Sequence, residues 1–227
     1  MKKIFTNLVA VLFVATFSVS SALALDLKYG VSGALVSIKA EGNETETGSQ
    51  TAETTPGSAS NRFGIASIFA EAQFSDNITF GVDYVPFGAD VSDSTLTRQD
   101  TETSVTGTAT ATTTVRDQTA QAEVSNHITI YGNYYVSEGL YLHLGYAMVD
   151  VKTQESLDTG SAYGDIDLTG IQYGVGLQMS DRFRLELAHT DYDSFDVTSS
   201  TARTGVTTNN KISGDIDTTQ LKLSVLF

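Results

Sequence analysis

The sequence predicts an all-β fold: an eight-stranded, antiparallel up-and-down transmembrane β-barrel with short turns at one end and long acidic loops at the other. Three observations predict it. Segments of alternating apolar and polar residues recur along the chain, short and long connections alternate between them, and the final residues form such a segment themselves. Alternation with a period of two is typical of strands that have one apolar and one polar face.

The C-terminal strand is the clearest of these segments. Its polar residues alternate with four apolar residues up to the end of the chain: Leu221, Leu223, Val225 and Phe227. Chain ends usually fray unless they are tied into the structure. We therefore expect this strand to pair with the first one and to close the barrel.

The N-terminus predicts export. Lys2 and Lys3 form a positive region, an apolar stretch follows, and residues 22–24 form an A-x-A cleavage site. Residues 1–24 are therefore predicted to be a cleaved signal peptide and residues 25–227 a single barrel domain, with cleavage after Ala22 as the alternative. A membrane helix is less favoured, because the apolar stretch is shorter than the ~20 residues that a span requires.

The composition limits the classes of function. The chain contains no cysteine, so it offers no thiol nucleophile, no disulfide and no lipid-anchored N-terminus. Its net charge of −14 argues against nucleic acid as a partner, since phosphates require a basic surface. No loop has the ligand spacing of an EF-hand, and we expect neither a metal site nor a cofactor.

The connections alternate in length. Three short segments share the pattern apolar residue, serine, acid, variable residue, apolar residue, which is typical of tight turns: 74–78, 136–140 and 179–183. Four long polar connections separate them: 40–61, 87–118, 152–167 and 193–215. Seven connections imply eight strands. Short periplasmic turns and long extracellular loops are the arrangement of outer-membrane barrels.

The predicted strands each reach the ~9–11 residues that a tilted spanning strand needs. They are 25–39, 62–74, 78–86, 123–136, 140–151, 168–179, 183–192 and 216–227. Residues 124–128 also fit the turn pattern, but another turn would leave an odd number of strands, so we assign them to the outer part of the fourth strand. The threonine-rich tract 103–114 has almost no large apolar side chain, and we expect it to remain unordered.

The polar face of these strands carries seven charged residues: Lys28, Glu71, Asp83, Glu123, Arg184, Glu186 and Lys222. In a soluble sandwich, the alternative all-β fold, this face would lie in water. In a membrane barrel it lies inside, where each charge needs a partner because burying an isolated charge is costly. We therefore predict a charge network in the lumen. Eight strands leave an interior just wide enough for side chains, which argues against a permanently open pore.

On its alternating strands, its serine–acid turns and its terminal apolar set, the chain resembles the small eight-stranded outer-membrane β-barrel family. This family includes the OmpA transmembrane domain, OmpX and the opacity proteins. The resemblance implies export to the cell outer membrane, with periplasmic chaperones and the barrel-assembly machinery as partners. It also implies that Leu221, Leu223, Val225 and Phe227 form the assembly signal that this machinery recognises.

The expected function is that of a non-enzymatic outer-membrane protein. It would contribute to envelope structure as a monomer among outer-membrane lipids and lipopolysaccharide, and present acidic loops outward. A narrow passive channel for small solutes and a surface adhesin or receptor that acts through the loops remain alternatives.

Catalysis on acyl chains is the remaining enzymatic possibility. It would need a histidine near the outer leaflet, and His189, with Asp191 two positions on, is the candidate. No serine shares its strand locally, so a histidine at the membrane boundary is the favoured interpretation. His127 and His143 are expected to point into the lumen. We therefore predict no catalytic residue.

Overall fold

The computed structural model describes residues 26–47, 52–92, 95–106, 110–156, 163–199 and 209–227. The predicted signal peptide lies outside these residues. In the part of the chain that is described, no helix has the length and apolar character needed to cross a membrane.

The described residues form eleven strands. They are β1 (Asp26–Thr47), β2 (Ala52–Ser75), β3 (Ile78–Val85), β4 (Ala89–Asp90), β5 (Leu96–Thr106), β6 (Thr110–Tyr135), β7 (Leu140–Ser156), β8 (Ile166–Gln178), β9 (Phe183–Tyr192), β10 (Phe195–Thr198) and β11 (Lys211–Leu226).

Eight of these strands form a closed ring. Their order is β1-β2-β3-β6-β7-β8-β9-β11, and β11 pairs back onto β1 in an antiparallel ladder that runs from Gly30 opposite Leu226 to Thr45 opposite Lys211. The predicted eight-stranded, antiparallel up-and-down barrel is confirmed. The closed ring also excludes the two stacked sheets of a sandwich.

One end of the barrel, here called the turn end, carries the three short turns and both ends of the described chain. The serine at the start of one turn shows why these sequences form turns: the Ser180 hydroxyl accepts hydrogen bonds from the backbone N–H groups of Arg182 and Phe183 at 3.3 and 3.2 Å. The last residue is also fixed here, because the Phe227 N–H donates to the Tyr29 carbonyl at 2.8 Å.

At the opposite end, here called the outer end, the long connections are largely strands, and the predicted loop boundaries are wrong. β1 and β2 remain paired as far as Thr47 opposite Ala52. β5 pairs with the first part of β6 from Leu96 opposite Ala120 to Thr106 opposite Thr110. Most of the tract 103–114 therefore lies in a ladder, contrary to the expectation that it stays unordered. Threonine is β-branched and favours strands, and a hairpin satisfies its backbone groups without burying apolar surface.

The turn-like residues 124–128 form a β-bulge inside β6. The pairing with β7 shifts between Ser125 and Ile128, and Asn126 adopts a φ of 53°. The Asn126 side chain also donates to an Asp150 oxygen at 2.7 Å. Asparagine tolerates positive φ better than most residues, which suits it to this position. The assignment of this segment to the strand is confirmed.

An apolar belt surrounds the barrel between its two ends. Large apolar side chains on the outer face are widely exposed, such as Leu35 at 70 % and Leu144 at 62 %, whereas the inward Ile38 is 1 % exposed. An exposed apolar surface that encircles a protein marks contact with lipid. The exposed Lys39 lies above Leu35 on the same face of β1, as expected for a charge beyond the belt.

The interior has two halves of different chemistry. Toward the outer end, buried apolar residues form the main cluster: Ile38, Val91, Val149, Val151, Leu168 and Ile216. Toward the turn end, the interior is polar and charged. The charged half follows from the alternation of the strands, whereas the apolar half was not predicted.

Candidate functional site: the barrel interior

The strongest contact in the lumen joins Arg184 of β9 to Glu71 of β2. The Nη1 atom of Arg184 donates to both Glu71 carboxylate oxygens, at 2.6 and 2.7 Å. A second guanidinium nitrogen, Nε, donates to Gln178 Oε1 at 2.6 Å. Arg184 and Glu71 are both buried, so solvent screens their attraction very little.

A second ion-pair group lies beside the first. The Nζ atom of Lys222 lies 2.8 Å from Glu186 Oε1 and 3.4 Å from Asp83 Oδ2. All three side chains are buried. We call the five residues of the two groups the ion-pair plug: Glu71, Asp83, Arg184, Glu186 and Lys222.

Neutral side chains complete the hydrogen bonds of the plug. The Tyr131 and Asn133 side chains donate to Glu71 Oε1 at 2.9 and 3.2 Å, and the Tyr141 hydroxyl donates to Glu186 Oε2 at 3.0 Å. Buried charges that keep such partners avoid most of the cost of leaving water. The plug therefore forms a polar core across the turn half of the lumen, in which Glu186 Oε1 has the Lys222 ammonium as its counter-charge.

His143 links the plug to the layer above it. Its ring nitrogens lie 2.8 Å from Asn133 Oδ1 and 2.8 Å from Gln172 Oε1. Since the Asn133 amide nitrogen donates to Glu71, its oxygen faces the histidine. Gln172 in turn donates to the Thr190 hydroxyl at 3.0 Å.

Two of the seven predicted lumen charges lie outside the plug. Lys28 lies at the mouth of the turn end, where its Nζ atom is 3.3 Å from Gln73 Oε1 and 3.8 Å from Asp26 Oδ2. Glu123 lies opposite Lys152 on β7, near the outer end. The bulge at Asn126 inserts one residue and reverses the alternation of β6. Glu123 and Lys152 therefore both lie on the outer face of the barrel.

Sequence reasoning did not single out two neutral residues that bond the plug. Beyond the bulge, the inward positions of β6 include Tyr131 and Asn133, both of which bond Glu71. The alternation within residues 128–136 could have revealed them, because Ile130 and Tyr134 are exposed on the lipid-facing side.

Two cavities lie on either side of the plug. On the turn side is a polar vestibule of about 450 Å³, bordered by Lys28, Gln73, Asp76, Thr79, Tyr135, Gln178 and Asp181. On the outer side is an apolar chamber of about 50 Å³. Its wall includes Val36, Ile38, Phe63, Val149, Tyr192 and Ile216, and His127 also borders it, as its predicted inward position implies. Gln172 forms part of its floor.

A hydrogen bond crosses the outer mouth above the chamber. Tyr163, between β7 and β8, donates its hydroxyl proton to Glu44 Oε1 on β1 at 3.0 Å. β1 and β7 stand on opposite sides of the eight-stranded ring. The Tyr163 side chain is buried, so it covers part of the mouth.

His189 lies on the outer surface, near the upper edge of the apolar belt. Its ring contacts the Thr219 hydroxyl at 2.8 Å and Asp191 Oδ1 at 3.0 Å. A histidine between a hydroxyl and a carboxylate is an arrangement that nucleophilic enzymes use. Thr219, however, lies in a strand that is paired on both sides, opposite Ser37 and His189. Its backbone therefore offers none of the free N–H donors with which such enzymes stabilise an oxyanion.

The described residues contain no group of three or more histidine, aspartate or glutamate side chains arranged to hold a metal ion. The acidic residues of the plug contact arginine and lysine instead.

Comparison with known proteins identifies the fold. No family model matches the chain, and no curated protein matches it. Among solved structures, the chain is similar to the outer membrane protein OprG from Pseudomonas aeruginosa, with a TM-score of 0.52 at 9% sequence identity over 88% of this chain and 95% of OprG. It is also similar to Neisserial surface protein A, with a TM-score of 0.39 at 14% identity over 87% of this chain and 96% of that protein.

The likeness to OprG agrees with the geometry of the molecule. An apolar belt surrounds a closed ring of strands, and the short turns share one end. A closed ring is also the one sheet arrangement that satisfies every backbone group in lipid. The chain therefore has the fold of the small outer-membrane β-barrel proteins, which indicates a location in the outer membrane.

Proposed function

We propose that the protein is a non-enzymatic barrel that strengthens the outer membrane and does not conduct solutes. The observation that carries this proposal is the ion-pair plug, because two cations and three carboxylates lie across the lumen as buried, paired side chains between the two cavities. Charged groups in such a network resist displacement, since each would have to leave its partner without water to replace it.

The outer end supports a role at the cell surface. β1 and β2 extend well beyond the apolar belt, and they carry Glu41 and Glu44 together with threonine and serine residues. Carboxylates at this height could share divalent cations with the phosphates of lipopolysaccharide. Outer-membrane lipids and lipopolysaccharide are therefore the proposed partners of the mature protein, which we propose is a monomer.

Assembly supplies the other proposed partners. Leu221 and Leu223 are exposed on the outer face of β11, and Phe227 is exposed directly after it, where the barrel-assembly machinery and periplasmic chaperones could recognise them. We infer that this face acts as the assembly signal before the strand closes onto β1.

Conductance distinguishes a closed barrel from a passive channel. The refolded protein, reconstituted in a planar lipid bilayer, is expected to give no current steps above the lipid background. Reproducible steps whose size changes in Arg184→Gln or Lys222→Gln variants would instead assign the protein to the passive channels.

Cell-envelope phenotypes test the structural role and the absence of catalysis together. A strain that lacks the protein should become more sensitive to detergents, and the wild-type gene and a His189→Ala variant should restore resistance equally. The lipid A of all these strains should have the same mass spectrum. A change in lipid A that follows His189 would contradict the proposal.

Surface recognition is a second candidate function. The observation that favours it is the β5–β6 hairpin, in which a long ladder projects from the outer end. Replacement of residues 95–118 by a short glycine–serine linker should leave heat-modifiable gel mobility intact. If surface recognition is the function, the shortened protein should no longer mediate attachment of the bacteria to surfaces that the wild type colonises.

A further inference from the structure

We propose that the apolar chamber takes up the end of an acyl chain from a membrane lipid, which enters through a gap in the barrel wall. The inference does not depend on the proposed function. It rests on the position of the gap, on the two closures above and below the chamber, and on the chemistry and size of the chamber.

The gap lies between β2 and the β3–β4 segment. The last backbone pair between β2 and β3 joins Ile68 to Tyr84. Farther out, β4 pairs with β6, and in the described structure no ladder joins it to β2. The next bridge across the gap is a side-chain bond, from Asn61 Nδ2 to the Asp90 carbonyl at 3.0 Å. The opening between these two bridges, here called the side window, is bordered by residues 62–67 and 85–89.

The local sequence explains why the ladder stops. Pro86 follows β3 directly, and proline has no N–H to donate to a neighbouring strand. On the other side of the window, the outward positions of β2 are Ala66 and Gly64, both exposed. A side chain at Gly64 would meet no atom closer than 3.9 Å, so the approach to the window from the outside is open.

The side window leads directly into the chamber. Five residues that border the chamber also border the window: Phe63, Ile65, Val85, Phe87 and Ala89. Phe87 is 65 % exposed, so its ring is accessible from the outside as well as from the chamber. The apolar surface therefore continues from the exterior, through the wall, to the interior.

The other routes into the chamber are narrowed by polar contacts. Below it, Gln172 lies on the chamber floor and bonds His143, which connects it to the ion-pair plug. Above it, the bond between Tyr163 and Glu44 crosses the mouth. An apolar group in the surrounding lipid meets no such barrier at the window.

The size and position of the chamber select the occupant. An apolar cavity of ~150 Å³ binds benzene, whereas this chamber measures about 50 Å³. A slender hydrocarbon end therefore fits better than a ring. The window lies just above Ile68 and Tyr84, at the upper edge of the apolar belt, where acyl chains of the outer leaflet surround the barrel. Most residues that border the chamber are apolar, and Thr218 and Gln220 are among the few polar ones.

Fluorescence quenching tests the proposal directly, because the chain contains no tryptophan and an introduced one is a unique reporter. The reporter is Tyr192→Trp, an inward position of the chamber wall on β9, across the ring from the window. The protein is reconstituted in phosphatidylcholine vesicles whose acyl chains carry bromine near their ends. We expect quenching at least half as strong as that of a lipid-facing reporter, Leu223→Trp.

Three further variants locate the route. A second inward reporter, Tyr135→Trp, borders the polar vestibule and should not be quenched. Addition of Ala89→Phe, which narrows the window and fills part of the chamber, should abolish quenching at position 192 and leave it unchanged at position 223. The matched substitution Ala72→Phe lies on the outer face of the β2–β3 pair, away from the window. It should change neither signal.

Two other results of the quenching experiment would overturn the proposal. If the position 192 reporter in the folded, heat-modifiable protein is not quenched by brominated lipids, the proposal is overturned. Quenching by dissolved bromoalkane but not by brominated lipid also overturns it, because the occupant would then be a free solute. Should Tyr192→Trp fail to fold, Ile216→Trp places the reporter on another side of the same chamber, with the same expected results.

Discussion

Arg184 and Glu71 lie 113 positions apart in the chain and meet inside the barrel, where one guanidinium nitrogen bonds both carboxylate oxygens. Their strands, β9 and β2, are separated in the ring by β11 and β1. The contact therefore ties together two walls that share no ladder. It can form only when β11 has closed onto β1, so it couples the charges of the lumen to the closure of the barrel.

Removal of Glu71 should destabilise the barrel strongly. Glu71→Ala leaves the Arg184 guanidinium buried without its carboxylate, and breaking a buried ion pair from one side costs about 3–5 kcal/mol. We expect the free energy of unfolding, measured by urea titration in lipid vesicles, to fall by that amount. The double variant Glu71→Ala/Arg184→Ala should lose less than the sum of the two single losses. Additive losses would show that the two residues do not interact.

Removal of the Lys222 cation should also destabilise the barrel. Lys222→Met keeps the length of the side chain but leaves Asp83 and Glu186 without their shared cation. Because two buried carboxylates then lose their counter-charge, we expect the free energy of unfolding to fall by about 3–5 kcal/mol. Urea unfolding in lipid vesicles measures this loss. The exposed Lys39→Met is the control, and it should show no comparable deficit.

The apolar–polar alternation was sufficient to predict the ring of strands and the inward position of the plug residues. Arg184 and Glu186 share one face of β9, and the alternation assigns them to the side opposite Leu185 and Leu187, which are exposed to lipid. Membrane strands show this signal clearly because one face must meet acyl chains. The five plug residues could therefore be assigned to the lumen, although their pairing could not.

The alternation fails where both faces of a strand meet water. Beyond the belt, β1 and β2 carry polar residues on both sides, as at Asn43 and Glu44, and the sequence of such a strand is similar to that of a loop. The alternation also fails at Asn126, where one additional residue reverses the face of every position before it. For this reason Glu123 was assigned to the lumen.

Phe227 should matter more for assembly than for the stability of the finished barrel. Its ring is 66 % exposed and lies 6.2 Å from the ring of Tyr29. We expect Phe227→Ala to reduce the amount of protein inserted in the outer membrane of cells, whereas refolding of the purified variant into vesicles should be nearly unchanged. Phe80→Ala, which removes another exposed aromatic ring from the belt, should insert at wild-type levels. Equal insertion defects in both variants would assign the effect to lost lipid contact.

The bulge in β6 allows backbone strain to be separated from a lost side-chain contact. Asn126 has a φ of 53° and donates to Asp150, and both Asn126→Gly and Asn126→Ala remove that hydrogen bond. Only alanine adds the steric cost of a left-handed backbone, about 1–2 kcal/mol. The alanine variant should therefore be less stable than the glycine variant by that amount in urea unfolding. If the two variants are equally stable, the bulge relaxes when asparagine is lost, and the reversed face of Glu123 is not fixed by this residue.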